Sequence, residues 1–452
     1  MKRVILKGPL VYQNGEFVKK DLHIEKGVFV SQASGPALDF SGMYLMPGFV
    51  DSHAHILGVG HKYGYLNLEQ VDSQDKLLSL MERSNDEIIR GRGWSEQTLG
   101  GYPDRKLLDR IKKPVVLKRR CGHIAVLNKT AMDIVGMYRS DGVFKENELD
   151  LIDDKIRDEN PERFFSIGEE QFLKHGVSFV HSDDLHGINW NQLKRMLLNA
   201  KIRVFEKLYF ASTRDLIEFD EFGNLTEKTY VKAIKLFADG SLGGKTAYLS
   251  QPYPDEKEYR GVKLLDSDQI ESFAKIAVQK KVQLCVHAIG NAAVHEVATV
   301  YQRYPANRIV HAQLVNKEDL PLLKNTYFSV QPHFAFEDQQ IIEERIPKGA
   351  DVLVYDFYKF FKEGYSISFS TDAPVSPEDP KYVIEKALKM GFRLTEAIEL
   401  YTIAGARAAG INNIGQIKEG YIADFAVYQT NPLKLADDPV AVYVSGEVVW
   451  NR

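Results

Sequence analysis

His53 and His55 stand two residues apart at the end of an apolar run, Leu45-Met46-Pro47-Gly48-Phe49-Val50-Asp51-Ser52-His53-Ala54-His55. Strand side chains repeat every two residues, so both imidazoles leave such a run on one face. Held that way, the two rings can bind a single metal ion. The pair alone is weak, because the chain has 12 histidines and a chance His-x-His is ordinary. Other strand-like runs supply the context. Val282 to His287, Arg308 to His311 and Ser366 to Asp372 each close on a ligand-type residue. In the last run Ser366, Ser368, Ser370 and Asp372 share one face and Ile367 and Phe369 the other, as in a barrel strand with a polar interior.

Lys235 lies in Val231-Lys232-Ala233-Ile234-Lys235-Leu236-Phe237-Ala238-Asp239-Gly240, on the face of Ala233 and Phe237. Its plain reading is an ion pair with Asp239. Its sharper reading is an amine carboxylated by CO2, which would bridge two metals. Asp239 and His123 are candidate substrate contacts, with a structural histidine as the alternative for His123. Trp94, in Gly91-Arg92-Gly93-Trp94, either lines the substrate pocket or packs as a core aromatic. Gly240, Gly243 and Gly244 lack the spacing of a nucleotide loop and read as a turn near the metal ligands.

The elements that must position these groups alternate between strand and helix, which predicts a parallel α/β fold. Eight strands are expected near 47–53, 177–183, 202–210, 231–238, 282–287, 308–312, 327–332 and 366–372, enough for a (β/α)8 TIM barrel. Helices are expected at Ser267–Lys280, Ala292–Tyr304, Lys381–Gly391 and Thr395–Ala409. The ligand candidates fall at the C-terminal strand ends, where such barrels carry their active sites. The barrel is assigned to 46–79 with 166–412. Residues 1–45 and 413–452 hold short strands and turn signals, and together form a small composite β-sandwich. Residues 80–165 are read as an inserted α/β subdomain over the barrel mouth.

The bulk numbers set the class. With 452 residues, 44% hydrophobic and 27% charged, the chain suits a soluble globular protein. A net charge of −4 without a basic block gives no reason to expect nucleic acid. The apolar runs are strand-length, so no membrane span is expected. Two cysteines, Cys121 and Cys285, make a disulfide framework implausible and a reducing cytoplasm the default. A small-molecule substrate is the expected partner, and a homodimer is allowed.

These residues resemble the amidohydrolase superfamily, and within it the YtcJ-like branch, also called amidohydrolase family 3. The likeness spans nearly the whole chain. It rests on Pro47 to His55, Cys121 to Asn128, Asp141 to Asn147, Lys235 to Ala247, His287-Ala288-Ile289-Gly290, His311-Ala312-Gln313, Ser370 to Val375 and Gly415 to Phe425, in the family's order. The resemblance implies that His53 and His55 hold a first metal and His287 and His311 a second. It implies Lys235 as bridge and Asp372 as metal ligand and proton shuttle. Three departures bear on specificity. Asn291 replaces a usual Asp, Lys245 a usual Arg, and His333 comes one place early after Gln331-Pro332.

The expected chemistry is hydrolysis of a small-molecule C–N bond (amide, formamide or cyclic amide) by metal-activated hydroxide. Asp372 would serve as general base and then acid, and His287 or His123 would steady the oxyanion. One or two divalent ions are expected, zinc or else iron or manganese, since the same donors accept all three. Deamination of a heterocycle is the competing enzyme reading, separable by metal content. A non-catalytic scaffold is the third, disfavoured because every ligand position is filled.

Overall fold

The computed structural model describes residues 3–120, 124–145, 148–156, 160–185, 188–347 and 349–452. Eight parallel strands run in chain order around one sheet: β1 (Phe49–Ala54), β2 (Val177–Ser182), β3 (Arg203–Tyr209), β4 (Thr229–Phe237), β5 (Gln283–Ala288), β6 (Arg308–His311), β7 (Tyr327–Val330) and β8 (Ser366–Phe369). Neighbours pair parallel from β1 through to β8. With its helices this is the (β/α)8 barrel that the alternation predicts. Its lower interior is apolar, built from Val50, Phe179, Phe205, Ala233 and Cys285, all buried. Cys285 is a free thiol, while Cys121 lies outside the described residues.

The sheet closes at a seam between β1 and β8, and side chains do much of the joining. The Asp51 carboxylate accepts the Thr371 hydroxyl at 2.6 Å, the Tyr401 hydroxyl at 2.8 Å and the Thr371 N–H at 3.2 Å. The Ser52 hydroxyl donates to the Phe369 carbonyl at 2.8 Å. Backbone bonds carry the join to the strand ends, from Asp372 N–H to the His53 carbonyl (2.9 Å) and from His55 N–H to the Ala373 carbonyl (2.8 Å). Burial pushes the Asp51 carboxyl up to about 6 against these donors.

Helices α1 (Ser267–Lys280), α2 (Asn291–Tyr301) and α3 (Pro380–Lys389) fall where the apolar periodicity puts them. Helix α1 starts on a capping box of Asp266 and Gln269. The expected helix at Thr395–Ala409 is two, Leu394–Leu400 and Ile403–Ala408. The break follows from a better partner: the Tyr401 carbonyl accepts the Val50 N–H of β1 at 2.8 Å, and Thr402 leaves helical geometry at φ −134°, ψ −96°. Packing on the barrel overrides helix propensity there.

Strands from the two ends of the sequence share one six-stranded sheet. Leu10–Gln13, Glu16–Lys19 and Tyr44–Pro47 join Phe425–Tyr428, Ala441–Val444 and Glu447–Asn451. A second, four-stranded sheet (Arg3–Lys7, Leu22–Glu25, Val28–Val30, Ala37–Asp39) shares its core, which includes Leu6, Val11, Phe29, Leu45 and Phe425. Arg203 at the start of β3 grips Asp424 through Nε (2.8 Å) and Nη2 (3.1 Å), with both side chains buried.

A separate compact unit comprises Leu57–Gly168 with Leu185–Met196. It holds a five-stranded sheet of Leu66–Asn67, Ile89–Trp94, Val115–Arg119, Ile124–Leu127 and Val143–Lys145. Apolar cores include Leu77, Met81 and Leu117 in one cluster and Met132, Phe144 and Ile152 in another. Among the described residues no helix is long and apolar enough to cross a membrane.

Glu169 yields a pH prediction. Its buried Oε1 accepts the backbone N–H groups of Lys201 (2.6 Å) and Ile202 (3.2 Å). Burial nevertheless pushes its carboxyl up from 4.5 to about 7. As pH rises through 4.5 the unfolded chain releases this proton, while the folded chain keeps it until about 7. Stability is therefore lost across that window. Glu169→Gln keeps an acceptor and cannot ionise, so it should match the parent near pH 4 and be more stable above pH 7, by on the order of 3 kcal/mol. Urea unfolding of both proteins across pH 4–8 measures the difference.

Candidate metal centre

The C-terminal ends of the barrel strands bring the expected ligands to one cavity of about 410 Å³, lined by His53, His55, Lys235, His287, His311 and Asp372. His53, His55 and Asp372 form the tight group, each offering one ligand atom within 4.8 Å of the others. His53 Nε2 lies 3.1 Å and His55 Nε2 3.4 Å from the same Asp372 oxygen, Oδ1. The His311 ring is centred 5.4 Å from that of His53 and 4.5 Å from that of His287. His287 and His311 thus sit beside the tight group as a facing pair.

Besides the contacts to Asp372, three of the four imidazoles have a nitrogen committed to another oxygen. His55 Nδ1 donates to Asp183 Oδ1 (3.0 Å), His287 Nε2 to the Gly240 carbonyl (2.9 Å) and His311 Nδ1 to Gln331 Oε1 (3.0 Å). Gln331 is itself set by its Nε2, which donates to Ser370 Oγ at 2.9 Å. In the neutral rings of His287 and His311 such bonds fix the tautomer and leave the other nitrogen a lone pair, the usual arrangement behind metal-binding histidines. His53 keeps its Nδ1 buried without a partner.

Charge supports the same reading. Burial would raise Asp372, but hydrogen bonds from His53 and His55 hold it well below the ordinary carboxylate range. Burial pushes His53, His287 and His311 down, favouring neutral rings. His55 goes the other way, to about 10, because Asp183 and Asp372 outweigh its burial. Two carboxylates facing one imidazole demand a positive charge between them. A divalent cation meets that demand and is matched by the donor set.

Asp183 had no clear signal in the sequence. It closes the strand expected at 177–183, one residue beyond the end of β2, and is not singled out there, yet it organises one side of the site. Lys235 pairs with it, Nζ to Oδ2 at 2.6 Å, with both side chains buried. This corrects the expected Lys235–Asp239 pair. Asp239 is also misplaced as a substrate contact. Its carboxylate accepts the N–H groups of Gly290 (2.7 Å), Tyr248 (2.9 Å) and Ile289 (3.0 Å), so it ties loops together. Burial pushes it up to about 7. The same junction explains Gly290, where a Cβ would lie 2.1 Å from the Tyr248 carbonyl oxygen.

Other candidates resolve individually. Trp94 is wholly buried in its own unit and donates Nε1–H to the Leu117 carbonyl at 2.9 Å, the core reading of the two. His123 lies outside the described residues. Of the glycine turn, Ser241, Leu242 and Gly243 line the cavity. Asn291 is a lock, bonded to Ser250 Oγ and Asn316 Oδ1 at 2.7 Å each. Lys245 pairs with Asp255, and His333 packs, fully buried, between Phe334 and Tyr382.

A sequence family described as "Amidohydrolase family" matches residues 37–450. Among curated proteins, YtcJ of Bacillus subtilis (strain 168) is 26% identical, over 92% of this chain and 90% of its own. Protein LONG AFTER FAR-RED 3 of Arabidopsis thaliana is 24% identical, over 91% of this chain and 83% of its own. Among solved structures, an uncharacterized metal-dependent hydrolase from Pyrococcus furiosus superposes with a TM-score of 0.86 at 27% identity, covering 95% of this chain and 100% of that one. Its counterpart from Pyrococcus horikoshii OT3 gives 0.84 at 27% identity, covering 96% and 98%.

Proposed function

This chain belongs to the amidohydrolase family, and from that premise we propose that it hydrolyses a C–N bond of a small molecule, an amide, formamide or cyclic amide. The observation that carries the reading is the convergence of His53 Nε2 and His55 Nε2 on Asp372 Oδ1 at the end of the barrel. These three residues would hold a divalent ion, with zinc the first choice by donor type. A second ion would fall to His287 and His311; Lys235 would join them as a carbamate only on leaving its ion pair with Asp183, since CO2 adds to the neutral amine. A metal ion held here would lower the pKa of water to about 7 and polarise a carbonyl.

The remaining work falls to the chain's own side chains. Asp372, ionised well below neutral pH, accepts the proton of the attacking water at a carboxylate oxygen. It then returns that proton to the nitrogen as the C–N bond breaks. His55 is oriented by Asp183, and His311 by Gln331. His287 spends its Nε2–H on the Gly240 carbonyl. As a neutral ring it offers a lone pair to a metal, and it is no longer free to donate to an oxyanion from that nitrogen. The oxyanion role expected of it is therefore dropped.

The test is metal content and turnover together. Purified protein should carry one or two equivalents of a divalent metal by elemental analysis. It should hydrolyse members of an N-formyl and N-acyl panel and lose that activity to a chelator. His53→Ala should lose at least one metal equivalent and fall below 1% of parental turnover on the order of magnitudes seen when metal sites are broken, with an unchanged circular dichroism spectrum. Full metal content and turnover in that variant would remove the assignment.

A further inference from the structure

Gln313 is the buried carboxamide whose bonding the proposed chemistry does not explain. The chain reaches it through two consecutive left-handed residues, His311 (φ 79°) and Ala312 (φ 49°), neither of them glycine. Strained backbone of this kind persists where the surroundings enforce it, and it gathers at functional sites. Here the surroundings are explicit. Ala312 N–H donates to the Ala288 carbonyl (3.0 Å), Leu314 N–H to the Ile289 carbonyl (3.0 Å), and the Gln313 carbonyl accepts the Tyr355 N–H (2.8 Å). The backbone is therefore pinned on both sides of the bend.

The side chain so delivered is 4% exposed and lines the same cavity as His53, His55 and Asp372. Its Oε1 is buried and has no hydrogen-bond partner. Other buried carboxamides differ. Asn128 accepts and donates several bonds, Asn307 bonds the Leu284 N–H and the Tyr304 carbonyl, and Gln331 bonds His311 and Ser370. Burying an acceptor without a donor is unfavourable, and an unpaired one beside a ligand group points to a donor that arrives with the ligand.

Resting on the amide-hydrolysis reading above, we propose that Gln313 reads the N–H of the substrate's amide, so that the site selects secondary amides over N-alkylated ones. The cavity's apolar walls, Phe237, Leu242, Ile289 and Phe334, add that the amide carries an apolar or aromatic body. A site built to bond a substrate N–H rejects the analogue without it strongly, because the protein group is then left unpaired. Gln313 acts as a specificity residue; the proton transfers remain with Asp372.

The probes are formanilide and N-methylformanilide, which differ by replacement of that hydrogen. Metal-loaded full-length protein is titrated with each by ligand-observed NMR, and released aniline or N-methylaniline is read in the same tube. Formanilide should bind at least about 10-fold more tightly than its N-methyl analogue. Gln313→Leu should abolish that ratio by weakening formanilide alone, with metal content unchanged. Should the Leu variant fail to fold, Gln313→Met serves, and the two-ligand comparison on the parent protein stands without any variant. Equal affinities on the parent, no formanilide binding at millimolar concentration, or a variant that weakens both ligands alike would each overturn the role of Gln313. Amine release separates the two claims. Hydrolysis without an N–H preference sinks this inference and keeps the amidase reading, whereas a preference without amine release does the reverse.

Discussion

Asp372→Asn is expected to lower turnover by about 10²–10⁴-fold, the range associated with loss of a general acid–base group, while leaving the barrel folded. The substitution is nearly isosteric, and the backbone bond from residue 372 N–H to the His53 carbonyl does not depend on the side chain. The left-handed backbone at Asp372, φ 58°, is one that Asn tolerates better than most residues. What disappears is a negative charge and a base. The oxygen on which His53 and His55 converge becomes part of a neutral amide that cannot carry a proton away from water or return one to nitrogen. Steady-state kinetics on an active member of the panel, beside circular dichroism and metal analysis, separates the chemical loss from unfolding. A variant turning over at the parental rate would end the proposed role of Asp372.

Asp424→Ala is expected to cost about 3–5 kcal/mol of stability, the usual result of removing one partner from a buried ion pair. Arg203 and Asp424 are 0% and 1% exposed. Arg203 also donates to the Glu227 carbonyl, the Tyr230 hydroxyl and Ser445 Oγ, so its guanidinium is held in place and cannot swing to solvent. The Asp424 carboxylate serves a second purpose, accepting the Ser445 N–H at 2.7 Å. Its loss strands a buried cation and frees a turn of the terminal sheet together. Thermal and urea midpoints should fall in step, with metal content unchanged in what remains folded. The double variant Arg203→Met/Asp424→Leu should recover much of the loss, since no charge is then left unpaired. Equal damage from the single and double variants would place the effect in packing alone.

The sequence was most legible where a single strand carried the message. His53, His55, His287, His311 and Asp372 each end a run with strand periodicity, and strand ends in a parallel barrel share one face. Side-chain direction and topology together therefore predict their meeting. What stayed hidden depends on partners from other strands. Lys235 pairs with Asp183, 52 positions away, and not with Asp239 four positions on, because the barrel sets β2 and β4 on either side of β3 while the Asp239 carboxylate serves loop N–H groups. Asp183 does end the strand expected at 177–183, but in a run of His, Ser, Asp and Asp it does not stand out as His287 or His311 does. Trp94 was ambiguous for a different reason, since periodicity places a side chain on a face without saying what covers it. The split helix near Thr402 turns on a carbonyl taken by β1, which local propensity does not register.

The shared terminal sheet has a consequence for how the protein is made. Strand Tyr44–Pro47 pairs with Phe425–Tyr428 along four residues, yet roughly 380 positions separate them. At ribosomal speeds of about 5–20 residues per second, the earlier strand waits on the order of 20–80 s for that neighbour to emerge. During translation its open edge is a sticky template for any passing chain, and the molecule is most in need of a chaperone until Phe425–Tyr428 has been made.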